Sequence, residues 1–288
     1  MRSRLNGKRL AIIGDPIEHS LSPVIQQAML DALGLDCTYD RIRVQAGTAA
    51  DWLPGAAALN LGGFNATMPH KTDLVPLMDE LSADARMYRS VNTVVLRDGR
   101  FLGFNTDGEG FLRSIMEQGI DIRGKHIAVL GAGGAARSVV LKMAAEGAER
   151  ITVCCRSPEK AAGLAGASPA VHVADLSRQS TDSVLADSAL LVNGTPLGMQ
   201  GVAADFEDFT FLEALPAAAP VCDLIYRPLK TRLLEEAEKL GHPTLNGLGM
   251  LIHQAILALE HFAAMDLDAA AMKAAVMERL LPVLNSGK

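Results

Sequence analysis

The sequence predicts an α/β protein of two domains, and three observations carry that prediction. The chain has 288 residues and is 49% hydrophobic, enough apolar material for two cores, since single cores stop growing at roughly 250–300 residues. Apolar runs of strand length alternate with stretches of helical period, the rhythm of parallel sheets covered by helices. One segment departs from that rhythm. In VNTVVLRDGRFLGFN two alternating runs flank Asp98-Gly99, a dipeptide suited to the positive φ angles of a tight hairpin. The first sheet is therefore expected to be mixed and mostly parallel.

Taken in order, strands are expected at Leu10–Ile13 and Tyr39–Val44, then the hairpin, then a helix over Gly110–Gln118. Gly119 and the polar stretch Asp121–Lys125 lead to a second sheet that opens at His126. Its strands are Ile127–Leu130, Ile151–Cys155, Leu190–Asn193 and Val221–Ile225. Met250–Phe262 and Ala269–Leu281 read as helices with no strand after them.

Composition excludes several classes of function. The formal charge is −6 with acids and bases interspersed, so no basic face offers the phosphate neutralisation that nucleic-acid binding needs. The four cysteines, Cys37, Cys154, Cys155 and Cys222, lack zinc-like spacing and are too sparse for a disulfide framework. Reduced cytoplasm is the expected compartment. The basic N-terminus carries only Leu10–Ile13 as an apolar segment, far short of a signal or membrane span. No pair of histidines has H-E-x-x-H spacing and no G-x-S-x-G elbow occurs, so neither metal nor serine-hydrolase chemistry is expected.

The segment HIAVLGAGGAARSVV supplies the most specific local signal. Gly131, Gly133 and Ala136 fit G-x-G-x-x-[GA] directly after a strand and at the start of a helix, the context of a Rossmann-type dinucleotide site. The first glycine permits the sharp turn, and the second lets backbone N–H groups approach a pyrophosphate without a Cβ in the way. The whole turn, Gly131, Ala132, Gly133, Gly134 and Ala135, is taken as the cradle. An NAD site usually carries an acid roughly 20 residues further on. Here the next strand ends ITVCCRSPEK, so Arg156, Ser157 and Lys160 stand where a 2′-phosphate would be paired, and NADP is favoured. Cys154 and Cys155 read as strand packing.

The first half offers polar side chains at several strand ends. GDPIEHSLSP places Ser20 and Ser22 on a loop after the first strand, where open α/β sheets bind ligands, although Ser22 before Pro23 also suits a helix cap. GGFNATMPHK brings Asn65, Thr67 and Lys71 to a second strand end, and VNTVV and GFNTDGEG add Asn92 and Asp107. A lysine and an aspartate there suggest proton transfer beside an alcohol that gives up hydride, though charge alone leaves solvated surface as the default reading of both.

Together GDPIEHSLSP, NATMPHK, VNTV, FNTDGEG, GAGGAAR, NGTPLGM, CDLIYRPLKT and NGLGMLIHQA resemble the shikimate dehydrogenase family, with its quinate/shikimate relatives, over nearly the whole chain. The resemblance implies NADP-linked reversible conversion of shikimate to 3-dehydroshikimate, a step of aromatic amino acid biosynthesis on the way to chorismate. It implies a substrate-binding domain built from both chain ends, residues 1–118 with 247–288, and a nucleotide domain over 119–246. Lys71 and Asp107 look like the catalytic pair. Ser20 and Ser22 look like ligands of the substrate carboxylate, Thr67, Asn92 and Gln254 like holders of the ring hydroxyls, and Tyr226 like a neighbour of the carboxylate. Thr195, Met199, Leu224, Gly247 and Met250 look like the wall around the nicotinamide. A small-molecule substrate is implied, with no nucleic acid or membrane partner, and a monomer or homodimer.

Three departures from the family pattern stand out. Cys155 replaces the usual asparagine before the NADP arginine, removing one hydrogen bond to the adenosine ribose. Arg89-Ser90 replaces a small Gly-Ala pair before VNTV, which would put a long cation near the core of the first domain or its cleft. His261 and Phe262 stand where a tryptophan is typical. The alternatives within the family are a quinate- or aminoshikimate-preferring dehydrogenase. From another class, the alternative is a non-catalytic NADP-binding regulatory protein.

Overall fold

Every apolar run of strand length in the sequence becomes a strand in the computed structural model, which describes residues 4–285. The first half runs β1 (Lys8–Gly14), α1 (Ser22–Ala32), β2 (Cys37–Arg43), α2 (Ala49–Ala56), β3 (Leu61–Ala66), β4 (Glu80–Leu81), α3 (Ala83–Tyr88), β5 (Thr93–Arg97), β6 (Arg100–Phe104) and α4 (Asp107–Met116). The second runs β7 (His126–Leu130), α5 (Gly134–Ala145), β8 (Arg150–Cys154), α6 (Pro158–Ala165), β9 (Val171–Ala174), α7 (Arg178–Leu185), β10 (Leu190–Asn193), β11 (Val221–Asp223), α8 (Arg232–Lys239), β12 (Thr244–Leu245), α9 (Leu248–Ala263) and α10 (Ala269–Asn285). The chain separates into two compact units, Met1–Thr106 with Ile252–Lys288, and Asp107–Leu251. On this division α4 and the first turn of α9 group with the second unit.

In the first unit the strand order is β2-β1-β3-β5-β6-β4. β1 pairs in parallel with β2 and β3, whereas β5 runs antiparallel to both β3 and β6. The hairpin turns at Asp98 and Gly99, with φ of 51° and 75°, the doubly positive pair that a two-residue turn of this hand requires. One consequence positions the candidate site. The carboxyl ends of β1, β2, β3 and β6 and the amino end of β5 all lie at the same end of the sheet.

The core beneath this sheet includes Phe64, Leu74, Val91 and Val94, with the Trp52 ring edge-on to Phe64 at 5.1 Å. Gly63 lets α9 lie close against the strands: a Cβ there would sit 2.5 Å from the Phe262 ring. His261 stacks on Phe104 with ring centroids 4.0 Å apart. Arg89, the long cation expected near the first domain's core or the interdomain cleft, is not in the core. It is exposed, with φ of 52°, in the left-handed position that ends α3, while Ser90 is the buried member of the pair at 1% exposure.

The second unit holds an all-parallel sheet in the order β12-β11-β10-β7-β8-β9. Strands added after β7 go first to one side and then, from β10 onward, to the other, so β7 and β10 flank the topological switch point where such sheets take ligands. α4 is fastened to α5 in the same unit. A Cβ on Gly108 would lie 2.7 Å from the Ser138 carbonyl oxygen, and Lys142 pairs with Glu109 at 2.9 Å.

Candidate active site

In the first unit the sequence candidates gather at one end of the sheet. Ser20 and Ser22 follow β1, and the Ser22 N–H donates to Ser20 Oγ at 3.3 Å. The cap of α1 is Leu21, with no side-chain cap hydrogen bond, so the capping role weighed for Ser22 is not taken up. Thr67 follows β3, its N–H on the Ile13 carbonyl at 3.0 Å. Its methyl would lie 2.6 Å from a Cβ on Gly14, so the ends of β1 and β3 approach closely only because residue 14 is glycine. Lys71 is half-buried, and its carbonyl accepts the Val91 N–H at 2.7 Å. The neighbouring His70 ring, fully buried, holds the Val44 carbonyl at 2.7 Å through Nε2. Backbone and ring together fasten the short loop carrying Lys71 to the strand ends on both sides.

Asn92 is held by a continuous buried network. Its Oδ1 accepts the Thr106 N–H and the Thr93 hydroxyl, each at 2.9 Å, and its Nδ2 donates to Thr106 Oγ1 at 2.9 Å. Asn65 Nδ2 donates to Thr93 Oγ1 at 2.9 Å and to the Asn92 carbonyl at 3.1 Å, while the Tyr39 hydroxyl donates to Asn65 Oδ1 at 2.7 Å. Burial pushes the Tyr39 hydroxyl well above its ordinary range, so it remains a neutral donor. Asp107, 4% exposed, is the first residue of α4, directly after Thr106, and groups with the second unit. There its charge faces favourably toward the positive end of the helix dipole. Gln254 lies half-buried on α9 within the first unit.

The second unit carries the glycine turn at the switch point. Gly131 has φ of 90°, and a Cβ there would sit 2.8 Å from the Thr195 methyl, so only glycine fits. Gly133 and Gly134 are exposed. A Cβ on Gly133 would meet nothing nearer than the Gly194 carbonyl at 4.0 Å, and one on Gly134 nothing within 4 Å. The amino end of α5 therefore opens onto space that backbone N–H groups line, the requirement for an anion such as a pyrophosphate. Ala136 is fully buried and close-packed, since a Cβ on Gly194 would lie 2.6 Å from its own Cβ. The residues present fit a dinucleotide.

At the tip of β8, Cys155 is buried and Arg156 and Lys160 are exposed, with Ser157 heading α6. No carboxylate stands at that tip. Asp175, at the end of β9, is engaged by the Ser177 N–H at 2.7 Å, and the Ser177 hydroxyl together with that N–H holds its carboxyl below the usual range. Thr195, Met199, Leu224 and Gly247 flank the ends of β10 and β11, and Met250 lies in the first turn of α9, within the same unit. Tyr226 belongs to this unit as well, apart in the chain's division from the serines with which it was grouped; burial pushes its hydroxyl up. Among the described residues no group of acids, histidines and cysteines could hold a metal, and no helix is long and apolar enough to cross a membrane.

Two sets of supporting residues escaped the sequence reading. Thr93 and Thr106 orient Asn92 in the first unit. Asn193, Asp223 and Thr231 form a buried cluster in the second, where the only signal was an acid closing an apolar strand in VCDLIY.

Comparison with known proteins finds one family along the chain. Residues 12–94 match the shikimate dehydrogenase substrate binding domain, 113–197 match shikimate / quinate 5-dehydrogenase, and 247–277 match the shikimate 5′-dehydrogenase C-terminal domain. A shikimate dehydrogenase (NADP(+)) of Symbiobacterium thermophilum is 41% identical over 268 residues, which cover 90% of each chain. This chain belongs to the shikimate dehydrogenase family. Among solved members, the enzyme of Thermus thermophilus in complex with NADP(H) and shikimate superposes with a TM-score of 0.83 at 32% identity, covering 94% of this chain and 99% of its own. The Listeria monocytogenes enzyme in complex with shikimate and NAD gives 0.85 at 33% identity, covering 95% and 98%.

Proposed function

We propose that this chain is an NADP-dependent shikimate dehydrogenase, interconverting shikimate and 3-dehydroshikimate in aromatic amino acid biosynthesis. One observation carries the proposal: a shikimate dehydrogenase (NADP(+)) is 41% identical to this chain over 90% of its length, and family models match residues 12–94, 113–197 and 247–277. The division of labour assigns the substrate to a domain from both chain ends and the nucleotide to the domain between them, with Asp107 and Tyr226 serving the substrate from the second unit. NADP⁺, when bound, supplies the hydride acceptor. Ser20 and Ser22 hold the substrate carboxylate, with Tyr226 beside it, and Thr67, Asn92 and Gln254 fix the ring hydroxyls. Lys71 takes or relays the hydroxyl proton as the alcohol is oxidised, and Asp107 orients the ammonium and the adjacent hydroxyl. Gly131 to Ala135 cradle the pyrophosphate, Arg156, Ser157 and Lys160 hold the 2′-phosphate, and Thr195, Met199, Leu224, Gly247 and Met250 wall the nicotinamide.

The exposed guanidinium of Arg156 and the missing carboxylate at the β8 tip favour NADP over NAD. In this reading the enzyme acts in the cytoplasm, as a monomer or homodimer, on a small molecule and not on nucleic acid. NADP⁺ reduction followed with shikimate and quinate in parallel tests the assignment, together with 3-dehydroshikimate reduction by NADPH and by NADH. Higher kcat/KM for shikimate and for NADP(H) is the expected result. A preference for quinate would place the chain with the quinate relatives, and cofactor binding without turnover on either acid would leave a regulatory nucleotide-binding protein instead.

A further inference from the structure

The carboxyl ends of β10 and β11 hold a buried carboxylate that the reaction does not consume. Asp223 is 1% exposed. Its Oδ1 accepts the Asn193 Nδ2 and the Ile225 N–H, each at 3.0 Å, and its Oδ2 accepts the Thr231 hydroxyl at 2.6 Å. Asn193, fully buried, turns its own Oδ1 to the Thr195 N–H at 3.0 Å and the Thr195 hydroxyl at 2.7 Å. An ionised carboxylate only accepts hydrogen bonds, so every neighbour must donate to it. That fixes the direction of the chain: Asn193 must present its NH₂ to Asp223 and therefore its oxygen to Thr195.

The network grips the loop after β10 at both ends. Thr195 packs on Gly131 of the glycine turn, and Gly194 sits against Ala136, as the close approaches at those glycines show. At the far end a Cβ on Gly198 would lie 3.3 Å from Asp205 Oδ1 and 3.7 Å from the Thr231 Cβ. Thr195 and Met199 are thus carried on a segment whose two ends meet the same cluster.

We propose that Asp223 is a positioning residue of the cofactor site, acting through Asn193 and Thr231 to hold the Thr195–Met199 segment against the glycine turn. It touches no ligand itself, and the proposal rests on the reading that Thr195 lines the cofactor. The groups that face Asp223 electrostatically are Asp205, paired with Arg232 at 3.3 Å, and the neighbouring Cys222 thiol. Burial, with Asp205 adding to it, raises the Asp223 carboxyl to about 6, so the fixed-acceptor form prevails at neutral pH.

The test measures NADPH affinity of the full chain by fluorescence without substrate, beside KM for shikimate. Asp223→Ala is expected to weaken NADPH binding roughly tenfold while KM for shikimate changes less than about threefold. Asp223→Asn keeps an acceptor toward Asn193 and Ile225 and should restore affinity to within about threefold of the original. Thr195→Val should weaken binding too, and adding it to Asp223→Ala should cost little more, because both act on one contact. If Asp223→Ala fails to fold, Asn193→Asp takes its place. Two facing carboxylates should then weaken NADPH binding at pH 8 and recover it toward pH 6, where they share a proton. Normal NADPH affinity in Asp223→Ala beside a weakened Thr195→Val overturns the positioning role alone, as does an Asn193→Asp profile parallel to that of the unaltered protein. An unaffected Thr195→Val removes Thr195 from the cofactor site and overturns both readings.

Discussion

The two sheets finish in the same way and with opposite chemistry. At the working end of the first, Tyr39, Asn65, Thr93, Asn92 and Thr106 are joined in a buried network through amides and hydroxyls. At that of the second, Asn193, Thr195 and Thr231 are organised around an ionisable group, Asp223. A neutral network keeps one hydrogen-bond pattern over the working pH range, whereas a carboxylate sets its pattern by its charge and loses stability for being buried. The charged chemistry expected of the first sheet, Lys71, stands on the loop adjoining its network.

The largest effect should come from that lysine. Lys71→Ala is expected to lower kcat for shikimate oxidation about 10³-fold with little change in KM for either substrate, read by steady-state NADPH formation. Near-normal turnover would take the lysine out of the chemistry and leave the first sheet as a binding platform only. Next, Arg156→Ala should raise KM for NADP roughly 10- to 100-fold, as loss of a charge-assisted phosphate contact does. KM for NAD and for shikimate should stay unchanged. An equal loss with NAD would mean that Arg156 serves the fold and not the 2′-phosphate.

The contrast between the networks is sharpened by pH. Asp223 has a folded-state pKa raised from 3.8 to about 6. Between those values the folded protein holds a proton that the unfolded chain has released, so its stabilising contribution is complete below the lower value and is lost as pH rises through the upper. Asp223→Asn abolishes this titration. Denaturation of both proteins should show the variant gaining about 1 to 2 kcal/mol on the original between pH 5 and pH 8. A pH-independent difference would mean that the carboxylate is paired as well folded as in water.

Local signals carried much of this fold and part of the site. Asp98-Gly99 announced the hairpin because φ above zero at two successive positions admits few residue types, and the glycine turn was legible because Gly131 takes a positive φ and Gly133 leaves the helix start open. β9 and β12 left little trace: the four-residue VHVA and the two-residue TL lie at sheet edges and are too short to show a period. That Arg89 faces away from the core was not legible, because a helix end can present a long side chain to water while its neighbour is buried, which depends on where the chain leaves α3. Ser22 looked like a cap because serine before proline so often is one, yet α1 starts with its backbone already helical at Leu21. Lys71 could not be picked by charge from 27 basic and 33 acidic side chains; it took the resemblance of NATMPHK to do so. Asp223 was illegible because its donors come from Asn193, 30 residues before it, and Thr231, 8 after, and only folding brings the three together.

The smallest effect separates the two networks most cleanly. Tyr39, 5% exposed, gives its hydroxyl proton to Asn65 Oδ1 at 2.7 Å. Tyr39→Phe would leave that oxygen buried without its donor, at a cost of about 1 to 2 kcal/mol or a fall of roughly 2–4 °C in Tm. Because burial holds the tyrosine far above its ordinary titration range, the hydroxyl is the same neutral donor at pH 6 and at pH 9, and the loss should be equal at both. Asn65 still reaches Thr93 and the Asn92 carbonyl through its amide, so KM for shikimate should scarcely move. A loss that grew or shrank with pH would show a titrating group in the first network, and the distinction between a neutral sheet end and an ionised one would fall with it.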